Sequence, residues 1–286
     1  MVEMEISTER LRRMNAGDLA AAVELSSAVG WNQTSEDWRM LLDLAPNSCF
    51  GIEVDGRLVS TTTLVCYEQQ LAWIGMVLSR KGHRGRGFAR RLVAAALDLA
   101  DSLGIETVKL DATEQGQPLY ETLGFQAEQP VERWARPGSM ESRTAESQSA
   151  SRTPTRLSSL SQTLRDLDSQ GFGADRSIML QELAQRSPLY SSPNAFSFAR
   201  PGRTTEYLGP CVATDPVAAR AIIAGMINAS THIGWSWDLL PANESAAALA
   251  SELGFTRQRC LSRMARGRPL RGHDEMVYAI AGFELG

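Results

Sequence analysis

Histidine and cysteine are scarce, with three of the first and four of the second in 286 residues. No two histidines are spaced as a ligand pair, and Cys49, Cys66, Cys211 and Cys260 form no CxxC pair. Neither a metal site nor a disulfide framework is therefore expected. Isolated thiols suit a reducing compartment, so the cytoplasm is the expected location. A basic excess is also missing: 29 Lys and Arg against 33 Asp and Glu leave a formal charge of −4. That balance speaks against a nucleic-acid partner and is compatible with a cationic or amine-bearing one. No run approaches the roughly 18 apolar residues of a membrane span. The opening MVEMEISTER is acidic and lacks the apolar core of a secretory signal, so no membrane partner is expected.

At this length two domains are the natural expectation. The stretch PGSMESRTAESQSASRTPTRLSSLSQ, from Pro137 to Gln162, is rich in Ser, Thr, Gln and Arg and poor in large apolar residues. It cannot bury enough surface to offset its ordering entropy, and it reads as a linker. The expected division is a first domain over 1–138, a linker over 139–162 and a second domain over 163–286.

The first half has a mixed α/β pattern. Asn15 and Asp18 flank a helix start, and Thr34 with Asp37 resembles a capping box for a second helix with Trp38, Leu41 and Leu42 inward. Cys49–Val54 and Leu58–Cys66 are strand-like, and Asp55-Gly56 between them is a hairpin signal. Leu71–Leu78 (LAWIGMVL) is a further strand. A helix follows from Phe88 to Leu103, with Phe88, Leu92, Ala96, Leu99 and Leu103 as its apolar stripe and Gly104 past its end. Thr107–Leu110 is the next strand, Pro118–Leu123 a short helix stopped by Gly124, and Phe125 opens a last strand.

Between the strand at 71–78 and the helix at 88–103 lies Arg84-Gly85-Arg86-Gly87-Phe88-Ala89. Glycines there allow close backbone approach, and the helix N-terminus presents unpaired N–H groups, so the segment suits a pyrophosphate. Arg90 stands where a dinucleotide fingerprint needs its third glycine, and no Lys-Ser/Thr pair of a P-loop is present. The order strand, RGRGFA loop, long helix, strand, PLYETLGF closely resembles the GNAT superfamily of N-acetyltransferases over about residues 4–136. Ala89 takes a place where glycine is common in that family, as an accepted variant.

The resemblance implies an acetyl-CoA-dependent N-acetyltransferase. Backbone groups of Met76, Val77 and Leu78 would pair with the pantetheine arm, and Arg84, Gly85, Arg86, Gly87, Phe88 and Ala89 would hold the pyrophosphate. Tyr120 would protonate the departing thiolate. The family's glutamate on the fourth strand is missing from LAWIGMVL, which leaves Asp111 and Glu114 as the nearest candidates for a base or substrate contact. Trp31, Asp37 and Trp38 lie where the family builds its acceptor site, and also read as core residues and a helix cap. Three acceptor readings stay open: the primary amine of a small molecule, a protein lysine or N-terminus, or none at all in a non-catalytic acyl-CoA sensor.

The second half repeats the order without the loop. LDATEQGQPLYETLGF is echoed by WDLLPANESAAALASELGF, and Trp73-Ile74-Gly75 by Tyr207-Leu208-Gly209. From Gly75 to Asp111 is 36 residues and from Gly209 to Asp238 is 29, a difference about the length of the glycine loop. Asp215-Pro216 opens the helix directly as cap and first residue, and Ala250 stands in the place of Tyr120. The fold expected is thus α/β (α+β), with two tandem GNAT-like domains, each a mixed, mostly antiparallel twisted sheet flanked by helices. The second is degenerate and ends on the strand-like YAIAGFELG. A pocket between the halves would draw on Asp175, Arg176, His232, Trp235, Trp237 and Asp238, although both tryptophans also read as core.

Overall fold

The computed structural model describes residues 8–138, 160–230 and 234–286. By packing, the chain sorts into two compact units, Met1–Lys109 and Leu110–Gly286.

In the first unit, β1 (Glu9–Arg13), β2 (Cys49–Val54), β3 (Arg57–Tyr67) and β4 (Leu71–Ser79) run antiparallel in that order, and β5 (Thr107–Ala112) lies parallel to β4. Asp55 and Gly56 both take positive φ (49° and 76°), the geometry that lets a two-residue turn follow the strand twist. The first helix, α1 (Leu19–Ala28), is preceded by a short helical turn capped by Asn15 and Asp18. Thr34 and Asp37 form the capping box of α2 (Ser35–Leu44). With α1, α2 and α3 (Phe88–Ser102) all packed on β3, its residues Leu58–Val65 are buried on both faces.

The buried face of α3 differs from the expected stripe. Phe88, Leu92, Val93, Ala96, Leu97 and Ala100 are buried, whereas Leu103 is 47% exposed. At 100° per residue Leu103 points between Leu92 and Ala96, so its exposure comes from its position past the helix end and not from its angle. By Leu103 the helix has ended, with the αL Gly104 beyond it.

The second unit begins with the last residues of β5. It continues through α4 (Gln117–Glu121), β6 (Gln126–Pro137), α5 (Gln162–Phe172), α6 (Ser177–Arg186), β7 (Leu189–Ser192), β8 (Ala195–Arg200) and β9 (Glu206–Ala213). Then come α7 (Pro216–Ala229), β10 (Gly234–Leu239), α8 (Glu244–Glu252), β11 (Thr256–Gly267) and β12 (Val277–Ala279). Asp215 caps α7 by accepting from the Ala218 amide, with Pro216 first in the helix. The strand order is β11-β6-β10-β9-β8-β7, with β12 antiparallel on the free part of β9.

This order explains why packing divides the chain inside β5. The residues of β6, from the first half of the sequence, pair with β11 on one side and β10 on the other. β5 neighbours β11 in turn, with Asp111 accepting from Arg263. β6 of the first half and β11 of the second are thus each seated against strands of the other half. The expected linker lies outside the described residues apart from Leu160–Gln162, where Ser161 caps α5. The final YAIAGFELG is strand only to Ala279. Beyond it Gly282 takes a φ of 125° and the chain turns back, with the Ala281 amide donating to Gly286 O.

Candidate active site

The loop that leads into α3 is built on two left-handed glycines, Gly85 (φ 77°) and Gly87 (φ 76°). A Cβ added at either would meet no atom within 4 Å, so the space above both is open. Gly87 is the residue before α3 and offers no side-chain cap, so the first-turn amides face outward at the positive end of a 15-residue helix. Around it, Arg86 and Arg91 lie over the buried Phe88 ring at 5.0 and 5.7 Å and both pair with Glu9. Arg84 Nε donates to Ser79 O at 3.2 Å. Ala89 occupies the first turn of the helix.

β4 pairs with β5 only through Leu71, Ala72 and Trp73. Past that point the strand carries a bulge, where Met76 holds a φ of 50°, a strained value for a residue with a side chain. The bulge is fixed from β3: Thr61 Oγ1 donates to Met76 O at 2.8 Å and Ser60 Oγ to Leu78 O at 2.6 Å. Met76, Val77 and Leu78 therefore lie on a strand edge that has left its parallel neighbour, the kind of edge an extended group can join. Sequence reasoning missed the bulge; the polar run Ser60–Thr63 opposite it is the signal that marks it, since four consecutive small hydroxyl residues, all buried, need acceptors.

Tyr120 sits in α4 at 8% exposure, its ring edge-on to Phe125 with centroids 6.1 Å apart. Burial pushes its phenol up to about 12, so it stays protonated at any ordinary pH. The same desolvation carries Cys49 and Cys211 from 9.0 to about 12. Each of these acids is neutral in the folded chain and ionises first in the unfolded one. Their contribution to stability is therefore complete below about pH 9 and is lost as pH rises through 12. Urea midpoints are expected to be level from pH 7 to about 8.5 and to fall steadily above about 9.5; a flat profile to pH 11 would contradict that burial.

The other candidates are placed as follows. Asp37 caps α2, accepting from the Thr34 amide at 2.7 Å and from Thr34 Oγ1 at 2.8 Å. Trp31 is half-buried, while Trp38 is fully buried with Nε1 donating to Ser26 Oγ. The Asp111 carboxylate, with no exposed side-chain surface, accepts from Arg263 Nε and Nη2 at 2.9 and 3.1 Å. Asp238, equally buried, accepts from Arg133 at 2.7 and 2.5 Å and from the Tyr207 hydroxyl at 3.1 Å. Both carboxylates are occupied by guanidinium forks, which suits them to holding strands together better than to taking a substrate proton. The two arginines stand eight residues after Phe125 and Phe255, a repeat spacing that could have revealed the pairs from sequence.

Trp235 and Trp237 are core residues of β10, Trp237 Nε1 donating to Tyr278 O. Arg176 is buried on Asp168, and Asp175 accepts from the Ser177 amide at the start of α6. His232 lies outside the described residues. Glu114 is exposed and lines a groove of about 410 Å³ with Gln117, Ala127–Pro130 and Cys260–Ser262.

The chain is 27% identical over 183 residues to the uncharacterized N-acetyltransferase YitH of Bacillus subtilis, over 63% of this chain and 61% of YitH. A UPF0039 protein of Schizosaccharomyces pombe is 33% identical over 73 residues, which are 25% of this chain and 49% of that one. The chain thus spans about half to three fifths of these curated relatives. A solved structure of an acetyltransferase candidate from Pyrococcus horikoshii superposes with a TM-score of 0.81 at 20% identity, over 97% of this chain and 96% of that one. A GCN5-related N-acetyltransferase from Anabaena variabilis gives 0.53 at 15% identity, over 91% and 72%. At such identities these structures establish the fold. Residues 20–125 match the acetyltransferase (GNAT) family and residues 164–279 an acetyltransferase (GNAT) domain, so the chain belongs to the GNAT superfamily and carries two domains of that type.

Proposed function

We propose that this chain is an acyltransferase that moves the acetyl group of acetyl-CoA to the primary amine of a small molecule. The observation that carries the reading is the pair of αL glycines beneath open space, next to a helix N-terminus without a side-chain cap. That arrangement fits a pyrophosphate, with Arg84–Ala89 as the cradle and Arg86 free to exchange Glu9 for phosphate. The open edge at Met76–Leu78 fits the amide-bearing arm, and the amide near Val77 could polarise a thioester carbonyl. Acetyl-CoA held there would supply an acetyl group activated as a thioester. Titration of the full chain with acetyl-CoA, followed by a screen of amines for release of free thiol, tests the reading. Failure to bind acetyl-CoA overturns it.

Tyr120 is the proposed proton donor to the departing sulfur. A phenol at about 12 keeps its proton, as a donor must, yet lies well above a thiol's ordinary value of about 8.5. Complete transfer is uphill unless burial also raises the thiol, so the contribution sits at the low end of general acid catalysis. Tyr120→Phe retains the ring against Phe125 and is expected to lower kcat about tenfold, with acetyl-CoA affinity unchanged. Equal kcat, measured where chemistry limits the rate, would assign the proton to another group.

In the second half the same cofactor site is closed in two ways. The glycine loop is missing, and the edge equivalent to Val77–Leu78, Cys211–Val212 by the Gly75–Gly209 correspondence, is already paired with β12. One acetyl-CoA per chain is therefore the expected stoichiometry, and calorimetry on the full chain checks it. Two equal sites would contradict it.

A further inference from the structure

Strands β6 and β11 are related by an approximate two-fold axis through the pair Val131 and Leu261. Adding 130 to a residue number in β6 gives its twin in β11. Pro130↔Ser262 thereby maps onto Cys260↔Glu132, and Gln129↔Arg263 onto Arg259↔Arg133. Even the bulges obey it, since the register skips Glu128 in one strand and its twin Gln258 in the other. Every surface beside this axis accordingly occurs twice.

One copy is covered by the chain's own end. Val131 packs with Leu240, Val277 and Ile280, and the Phe283 ring lies beneath the guanidinium groups of Arg133 at 4.6 Å and Arg259 at 5.1 Å. The other copy is the open groove of about 410 Å³, where Leu261 replaces Val131, Gln129 replaces Arg259 and Glu128 replaces Gln258. Arg263 keeps the place of Arg133, forked on Asp111 as Arg133 is on Asp238, so the exchange removes one of the two cations that hold the ring and adds an amide and an acid. Glu114 and Gln117 face the groove from the β5–α4 side, and Gln129 is held in place by Asp274 at 3.1 Å. Among the residues that line the groove, the charged ones are Glu114 and Glu128, both acidic. Its volume falls in the range of small-molecule sites, about 300–1,000 Å³.

We infer that this groove is the acceptor site and that the acceptor is a small amine carrying at least one further positive charge. The inference rests on the acyltransferase reading and adds the substrate class. Glu114 and Glu128 hold the distal cation, and Cys260–Ser262 form the far wall. The degenerate half is thus retained because it builds one side of the site.

Cys260 provides a test that needs no turnover. It lines the groove and is exposed, whereas Cys49 and Cys211 are buried and Cys66 is half-buried. Iodoacetamide should alkylate Cys260 first in the full chain, and Cys260→Ser should remove that label. Spermidine, the probe, should slow alkylation about tenfold at ten times its Kd, while glutamate at equal ionic strength should not. Glu114→Gln, at an exposed position, should require roughly tenfold more spermidine for the same protection, and adding Glu128→Gln should require still more. An alkylation rate unchanged by spermidine, or protection by glutamate as good as by spermidine, overturns the inference. Thiol release from acetyl-CoA is followed in parallel. Acetylation of spermidine without protection sinks the groove assignment and leaves the acyltransferase standing. Protection without acetylation of any amine keeps the cation site and sinks the acyltransferase.

Discussion

Gly87→Glu is expected to weaken acetyl-CoA binding by at least about a hundredfold, because a carboxylate set against the pyrophosphate costs several kcal/mol of like-charge repulsion. The variant should still fold. Nothing lies within 4 Å of a Cβ at this position, so the side chain meets no steric obstacle from the protein itself. The remaining penalty is backbone strain at a φ of 76°, about 1 kcal/mol for a non-glycine residue. Gly87→Ala carries that same strain without the charge, and should leave affinity within about tenfold of wild type. The pair of variants therefore separates electrostatics from conformation. Calorimetry on both, with thermal melts to verify folding, reads the difference. A correctly folded Gly87→Glu chain with wild-type affinity would remove the loop from the site.

The parts of the molecule legible in the sequence are those decided within a few residues. Thr34 with Asp37, Asp55-Gly56 and Asp215-Pro216 each determine a cap or turn through local hydrogen bonds or backbone preference, and all three form as read. The RGRGFA loop belongs with them, because two glycines before an apolar stripe set the helix entry locally. What the sequence withheld is which strand lies beside which. The pattern of Gln126–Pro137 marks a strand but carries no mark of its neighbours, and here those neighbours are β10 and β11. Asp111 and Asp238 looked like site residues for the same reason: a carboxylate at a strand end has one meaning alone and another beside an arginine 152 or 105 residues away. The C-terminal segment shows the third limit. Its apolar alternation promised a longer strand, but Gly282 and the guanidinium of Arg200, which donates to Ala281 O at 2.7 Å, turn it back after Ala279.

Breaking one of the two Asp–Arg forks is expected to cost about 3–5 kcal/mol, among the largest effects available outside the apolar core. Asp238→Ala strips the fork from Arg133, whose charge burial opposes and the Asp238 carboxylate restores, and leaves the Tyr207 hydroxyl with Ile280 O as its acceptor. Asp111→Ala strips the fork from Arg263, whose side chain is 7% exposed, and leaves it the weaker attraction of Asp274 and Glu128. The forks join β6 to β10 and the end of β5 to β11, so each fastens a strand of one half to the other half. Urea unfolding of the full chain should accordingly show midpoints lowered for both single variants, with activity kept wherever the chain remains folded. Replacing both members of a fork by apolar residues, Arg133→Met with Asp238→Leu, should restore most of the loss, since an uncompensated buried charge is the main cost. The outcome also decides between two roles for Asp111. If it only fastens strands, the folded Asp111→Asn chain keeps kcat and its pH profile. A collapse of kcat at unchanged stability would make it a base after all, and the fork geometry would then have to open during turnover.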